Sequence, residues 1–257
     1  EMYVKMYGLP AYNELDPTMF VAITYAFIFG AMFGDVGQGL VLLLGGFFLY
    51  KKKGMDLAAI IGSAGIFSTF FGFMYGSFFG FEDVLPARWL KPKEAMMTLP
   101  VVGQMNTVFV VAIVFGMFLI LTAMILHIIV AVRNHDIEGT WFDTNGVAGF
   151  IFYGFVVASL ILFMSGHALP ATIIMVLVLG LPLLAMAFKE PLTAWMEKKE
   201  AELDGGVAMY LVLTFFEMFE VLLSFFSNTL SFVRIGAFAV SHAAMMEVVL
   251  MLAGFEN

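Results

Sequence analysis

The stretch from residue 207 to residue 254 is apolar almost throughout, yet Arg234 lies near its middle. About 48 residues make roughly 70 Å of helix, more than twice the thickness of a bilayer's hydrocarbon core. The sequence therefore predicts a helix that lies oblique in the membrane, bends near Gly236 or extends beyond the bilayer. An arginine inside such a helix costs about 2.5–3.5 kcal/mol on insertion scales, so we expect it to face protein or water.

Polar residues on both sides of this arginine follow a helical spacing. They recur mostly in steps of three and four, at Glu217, Glu220, Ser224, Ser227, Ser231, Arg234 and Ser241. Such steps place side chains on one face of a helix. His242 and Glu247 continue the polar content beyond the arginine. We predict a hydrated or protein-facing stripe on a helix that is otherwise compatible with lipid.

The composition places the whole chain in the membrane class. Hydrophobic residues make up 62% and charged residues 12%, and the mean hydropathy is +0.98. Soluble domains have about 45–50% apolar and about 25% charged residues. The chain holds no cysteine for a disulfide or thiolate metal site, and no GxxxxGK loop for ATP. The charge of -8 does not indicate nucleic-acid binding, and we expect no cofactor or metal.

The first apolar run, from residue 17 to residue 50, is too long for one simple span. The string from Phe33 to Gly39 holds three glycines around Asp35. Glycines weaken a continuous helix. We therefore predict two short helices joined by a turn, in which Asp35 satisfies backbone groups.

The later apolar runs predict further spans. They cover residues 56 to about 78, and about 101–132, 146–165 and 169–188. Gly72, Gly76 and Gly80 are spaced like a close-packing helix face. The predicted organisation is a polar leader (1–16) at the end of a missing cytoplasmic domain, a transmembrane bundle (17–188), a cytoplasmic loop (189–206) and a long tilted helix (207–257). The expected fold is an all-α, polytopic bundle with a broken first hairpin and an intramembrane arginine.

Basic residues between the spans indicate how the chain is oriented. Three lysines at 51–53, Arg133, and the lysines of the 189–199 segment are separated by pairs of spans. Positive charge favours the cytoplasmic side, so all three groups are expected there. The 79–100 loop, which this orientation places outside, also contains basic residues and so does not follow the rule. The number of spans alone does not determine on which side of the membrane the N-terminus lies.

Two motifs resemble the membrane domain of the large stator subunit of rotary V-type and A-type ATPases, called subunit a or subunit I. One is Ser-Asn-Thr-x-Ser-aromatic-aliphatic-Arg, ending at Arg234, with His242 eight residues later and then Glu247. The other is Met-Phe-Gly-Asp-x-Gly-x-Gly around Asp35. With the order of spans, the resemblance covers essentially the whole chain.

The resemblance implies an ion-translocating stator. Arg234 matches the essential arginine that faces the carboxylates of a rotating ring of small membrane subunits, and Glu220 matches an acidic half-channel residue. His242 matches a histidine beside the same path. A family asparagine is replaced by Ser224, which puts its role in doubt. The resemblance also implies a cytoplasmic preceding domain, which favours the broken hairpin, and a final helix with a second arginine, which is not present before the chain stops.

The partners implied are the ring and the other stator and central-stalk subunits, with ATP turned over elsewhere. Together with the bilayer they would couple transport of H⁺ or Na⁺ to ATP hydrolysis or synthesis. Short loops without glycosylation sequons favour a bacterial or archaeal plasma membrane over a eukaryotic vacuolar one. The candidate ion-translocation residues are Arg234, Glu220, Glu217, His242, Glu247, Ser224, Ser227 and Ser231.

Each of these residues has a structural alternative. In these alternatives Arg234 pairs with Glu220 or Glu247, Glu217 is a solvated partner at the helix entry, and His242 is simply packed. A rival function is a self-contained ion-coupled transporter or channel in which Arg234 binds an anionic substrate. Paired inverted repeats would favour that rival, but we find only one interrupted run and one overlong helix.

Overall fold

The computed structural model describes residues 16–82, 84–99, 103–198 and 206–255. The predicted leader, apart from residue 16, lies outside this range. The described helices are α1 (Thr18–Met32), α2 (Val36–Lys53), α3 (Asp56–Tyr75), α4 (Thr107–Arg133), α5 (Val147–Met164), α6 (Thr172–Ala187), α7 (Lys189–Glu197), α8 (Gly206–Ser231) and α9 (Val233–Leu252). A π-helical turn (Glu138–Phe142) precedes α5, and two short paired strands, β1 (Met96–Leu99) and β2 (Gly103–Asn106), precede α4.

The helices confirm an all-α, polytopic membrane fold. Within the described residues, four stretches are long and apolar enough to cross a membrane: Asp56–Tyr75, Thr107–Arg133, Glu138–Met164 and Ala208–Leu252. A fifth span exists if α6 and α7, which are bent by 74° to each other, count as one. The segment after residue 188, which we predicted as a loop, therefore begins with a helix.

The chain divides into two compact units. The first comprises residues 1–98, 102–112 and 232–257, and the second comprises residues 99–101 and 113–231.

In the first unit, the predicted broken hairpin is confirmed. Successive residues of α1 meet successive residues of α3: Gly30 lies against Phe67, and the Tyr75 hydroxyl donates to the Ala31 carbonyl over 3.0 Å. Along α2 the order is reversed, since Gly39 meets α3 near residue 69 and Gly46 meets it near residue 62. Therefore α1 is parallel to α3, α2 is antiparallel to it, and the chain reverses between them.

The reversal occurs at residues 33–35, where helical backbone hydrogen bonds are lost and other groups replace them. The Ser68 hydroxyl donates to the Phe33 carbonyl over 2.5 Å. The Val36 amide donates to the Ser77 carbonyl over 3.0 Å. Backbone groups at membrane depth must find partners inside the protein. The hydroxyl side chains of α3 supply several of these partners.

Asp35 is fully buried at this break and confirms the predicted structural role. One carboxylate oxygen accepts from the amides of Gln38 and Phe79, both at 2.9 Å. The other accepts from the Ser77 hydroxyl at 2.7 Å and the Gly80 amide at 2.8 Å. A single side chain thus caps α2 and fixes the loop that follows α3.

The predicted glycine ladder is wrong beyond its first member. Gly72 does pack closely, since a Cβ there would lie 2.2 Å from the Val36 nitrogen. However, α3 ends at Tyr75, and Gly76 is its C-cap with a φ of +76°. Gly80, with a φ of +83°, lies in the following loop. Of the three glycines at helical spacing, one therefore allows a close helix contact, and the other two adopt left-handed backbone conformations.

The predicted long C-terminal helix is confirmed over Ala208–Leu252. Its one interruption in this range is at Phe232, four residues before Gly236. Gly236 instead allows a close approach, since a Cβ there would lie 3.1 Å from Phe109.

In the second unit, the core forms around α5. The buried members are Met117, Met124, Ala148, Phe152, Tyr153, Val157, Met186 and Phe225. The Phe225 ring is stacked on Tyr153, with centroids 5.3 Å apart, and the hydroxyls of Tyr153 and Thr229 are 2.8 Å apart. These contacts attach α8 to α5 in a fixed rotation.

We predict that Asp35→Ala destabilises the first unit strongly, because several buried donors lose their acceptor at once. Each buried unsatisfied group costs about 1–3 kcal/mol. Thermal unfolding followed by circular dichroism in detergent would measure the loss. Asp35→Asn, which keeps one acceptor oxygen, should be intermediate, and Glu94→Ala, at an exposed carboxylate of the same unit, should have little effect. Equal stability of Asp35→Ala and wild type would contradict this role.

Candidate functional site

The predicted polar stripe lies on an exposed face of α8 in the second unit. Glu217, Glu220, Ser224, Ser227 and Ser231 are all exposed. Another face of the same helix packs against the second unit. Its buried and half-buried residues form a row beside the polar stripe, at Tyr210, Thr214, Met218, Val221, Phe225 and Thr229. This row also follows steps of three and four, so the contacts of Phe225 and Thr229 with α5 determine that the polar stripe faces outward.

The surface around this stripe is strongly apolar. Exposed phenylalanines and leucines border the polar positions at Phe215, Phe216, Phe219, Leu222, Leu223, Phe226 and Leu230. The exposed face of α8 is thus a narrow row of carboxylates and hydroxyls on a hydrocarbon surface. Polar groups are costly to leave in contact with lipid.

Glu217 forms an ion pair within the second unit. The Lys189 ammonium, at the first position of α7, donates a hydrogen bond to its carboxylate. Glu138 and Asp143 also lie within electrostatic range of Lys189. This geometry fits the alternative in which Glu217 is a solvated, paired residue at one end of the stripe.

Arg234 lies in the first turn of α9, in the first unit, and is exposed. The rotation of α9 follows from its buried residues, which are Ile235, Gly236, Ala239, His242 and Leu250. Ser241, about two helical turns from the arginine, is also exposed. The first unit therefore leaves Arg234 exposed at its surface.

His242 is buried on a different side of α9. Eight residues correspond to about 80° of rotation, so it does not share the direction of Arg234. Its ring meets Phe33 edge-on, with centroids 5.5 Å apart. Nε2 has no hydrogen-bond partner in the part of the chain that the structure describes.

A small polar cavity lies beside His242. It measures about 20 Å³, and its walls include Tyr75, Ser77 and Glu82. A volume of this size holds about one water molecule. Since Ser77 also binds Asp35, the cavity connects His242 with the hydrogen-bond network of the broken hairpin.

Glu247 forms part of an ion cluster with the loop after α3. Its carboxylate is 3.0 Å from the Lys93 ammonium, which is also 3.0 Å from Glu82. Lys91 contacts Glu82 at 3.5 Å. Burial alone would lower the pKa of Lys93, but the hydrogen bonds to Glu247 and Glu82 raise it above its usual value.

This cluster pairs basic residues of the 79–100 loop with carboxylates, which the sequence pattern alone does not predict. Lys93 and Glu82 lie in the loop, whereas Glu247 lies in a helix with few charged residues. Two features of the sequence could have indicated this pair. The lysine lies in a loop whose basic residues do not follow the positive-inside rule, and the helix glutamate has no basic residue close to it in the sequence.

We predict that Lys93 and Glu247 are energetically coupled. A double-mutant cycle with Lys93→Met and Glu247→Gln should give a coupling of about 0.5–1 kcal/mol in thermal unfolding, because the pair is partly exposed. Lys91→Met, which contacts Glu82, is the matched control and should show no coupling with Glu247→Gln. Additive effects in the first cycle would show that the contact contributes nothing.

Known proteins with similar sequences are ATPase subunits. Residues 2–97 match the V-type ATPase 116kDa subunit family. The A-type ATP synthase subunit I of Aeropyrum pernix is 30% identical over 281 aligned residues, which cover 97% of this chain and 40% of that protein. The subunit I of Pyrococcus horikoshii is 31% identical over 66% of this chain and 28% of its own length.

A similarity to a eukaryotic protein is shorter. The V-type proton ATPase 116 kDa subunit a 1 of Caenorhabditis elegans is 41% identical over 28% of this chain and 8% of its own length. The chain spans less than half the length of each of these relatives.

Proposed function

The chain belongs to the subunit a and subunit I family of V-type and A-type ATPases, and from this we infer that it is the static half of an ion-translocating rotary motor. It is a multi-pass membrane protein, and we place it in a bacterial or archaeal plasma membrane. ATP hydrolysis or synthesis belongs to other subunits in this proposal.

One observation carries the proposal. Arg234 and the polar row of α8 are exposed, although Ala208–Leu252 is apolar enough to cross a membrane. A guanidinium, a carboxylate and several hydroxyls are unstable against lipid tails. Exposed groups of this kind favour polar surroundings within the membrane, and the carboxylates of a rotating ring of small subunits would form a polar surface against them.

The chemistry follows from the environments of a ring carboxyl group. Against lipid it stays neutral, because burial raises the pKa of a carboxyl group by up to about 3–5 units. Beside a guanidinium its ionised form is favoured, with a downward shift of about 1–3 units. A proton or sodium ion carried round the ring is thus released next to Arg234.

Arginine suits this position better than lysine. Its guanidinium does not deprotonate in proteins, whereas a buried lysine loses its charge readily. The permanent charge also blocks direct passage of cations between the two sides. We assign one aqueous half-channel to Glu217, Glu220, Ser224, Ser227 and Ser231, whose exposed oxygens hold water.

The other half-channel is assigned to His242 and Glu247. The unpartnered Nε2 of His242 and the adjoining cavity support a water site there. The Lys93 cluster then lies at the outer end, where Glu247 is half exposed. Arg234 is expected to separate the two half-channels.

The energies are compatible with a motor. One elementary charge that crosses 100 mV is worth about 2.3 kcal/mol. An ion pair at about 4 Å is worth about 4 kcal/mol at an effective dielectric constant near 20. The attraction of a ring carboxylate to Arg234 is therefore of a size that rotation or a few translocated charges overcome.

The central test is substitution of Arg234 in the full-length subunit within the assembled complex. We expect Arg234→Ala to abolish ion transport without preventing assembly, because the ring carboxyl group loses the charge that ionises it. Arg234→Lys should transport poorly. Transport into vesicles and ATP turnover are measured separately, with Ser241→Ala on the same helix as the control. Wild-type transport in Arg234→Ala would remove this residue from the mechanism.

The His242 assignment has its own prediction. His242→Phe fills the position with an apolar ring and should reduce transport, because the cavity loses its polar wall. His242→Gln keeps a polar group and should retain more transport. Both variants are compared at equal assembly, since Phe33 packs against this ring. Equal transport in both would favour the packing alternative.

The rival transporter makes a different prediction. A self-contained carrier moves ions or an anion without a ring, whereas the stator needs one. Flux through the subunit reconstituted alone would therefore support the rival, and flux restored only with the ring supports the motor.

A further inference from the structure

An apolar groove lies in the second unit, on helices that carry none of the candidate translocation residues. Its walls are α5 and α6, and the π-helical turn and α7 close one end. The lining includes Trp141, Ile151, Leu177, Leu181, Ala185 and Met196. The groove measures about 620 Å³. Most of its wall is side-chain carbon, so an occupant must be hydrocarbon.

The groove is continuous with the lipid-facing surface of its helices. Leu181 is 63% exposed and Leu177 is 52% exposed. The turn before α5 belongs to a stretch that is apolar enough to span a membrane. The bilayer is therefore the solvent that meets the open side of this groove.

The size of the groove selects between two hydrocarbon occupants. A helix with its side chains is about 10–12 Å across and would place only the side chains of one face in the groove, with most of its surface outside it. A single acyl chain is only one carbon chain wide. The groove therefore fits a lipid tail better than a transmembrane helix of another subunit.

Tryptophans indicate the depth of the closed end. Trp141 lies on the π-helical turn and is 50% exposed, and Trp195 on α7 is 78% exposed. Tryptophan is enriched at the boundary between headgroups and hydrocarbon. The bend of 74° between α6 and α7 also turns the chain away from the direction of the span at this end. A lipid tail in the groove would thus have its headgroup near α7.

The charges at this end are mainly acidic. Glu138 begins the turn that carries Trp141, and Asp136, Asp143 and Glu190 all act on it electrostatically. Lys189 also acts on Glu138, but its ammonium already donates to Glu217. Among the described residues, the other positive charges near the ends of these chain segments are Arg133, at the end of α4, and Lys198, just after α7. Such a rim repels an anionic headgroup and attracts an ammonium group.

We propose that the groove between α5 and α6 binds one acyl chain of a zwitterionic phospholipid, with its ammonium headgroup against the acidic rim around Glu138. The site attaches a lipid to the second unit at the level of α7. It depends neither on Arg234 nor on the motor function.

The experiment uses the full-length subunit in its native complex. The complex is reconstituted with phosphatidylethanolamine that carries a diazirine on one acyl chain, or with phosphatidylglycerol that carries the same group. Light-induced cross-links are mapped by peptide mass spectrometry. We expect labelling to concentrate on Ile151 and on residues 177–185, several-fold above other lipid-exposed positions such as Ile173, and to be stronger for phosphatidylethanolamine.

Two variants on α6 make the test specific. Ala185→Phe fills the groove and should lower this labelling several-fold, while Val176→Phe, an exposed position outside the lining, should leave it unchanged. Ala185→Leu is a milder filling variant if the larger ring prevents assembly. Uniform labelling of exposed positions, unchanged labelling in both filling variants, stronger labelling by phosphatidylglycerol, or cross-links to another subunit would each overturn the proposal.

Discussion

The first unit depends on the replacement of lost helical hydrogen bonds at the break between α1 and α2. Asp35 accepts from four groups, while Ser68 and Tyr75 donate to carbonyls on the other side of the break. Inside a bilayer such groups cannot form hydrogen bonds with water. The chain can reverse at this point because α3 and the loop after it supply polar partners for the freed groups.

The same break also seats α9. Phe33 packs on His242, and Gln38 Nε2 lies 3.1 Å from the Met246 sulfur. A Cβ on Gly80, whose amide binds Asp35, would lie 2.9 Å from Met246. One side of α9 therefore packs against the hairpin and the loop after α3. Arg234 points elsewhere, so the network around Asp35 acts on its direction through packing.

A different set of contacts orients α8 in the second unit. There the ring of Phe225 and the hydroxyl of Thr229 face Tyr153, and the row of carboxylates and serines follows beside them on the open face. In both units a buried row of side chains determines the direction of an exposed polar group. The proposed motor function uses these exposed groups, while the proposed lipid site uses a groove between α5 and α6 of the second unit.

The sequence by itself determined the helical membrane class, the broken first run, the long final stretch and the spacing of its polar residues, because these follow from apolar length and helical periodicity. It left open whether that stretch lies oblique, bends near Gly236 or extends beyond the bilayer, and it assigned one role to three glycines whose backbone conformations differ. It also left Glu247 and Lys93 unpaired, since they are far apart in the chain. Only the tertiary structure decided that His242 is buried while Arg234 and Glu220 are exposed. Periodicity places residues on a helix face, but only the neighbouring helices decide which face is covered.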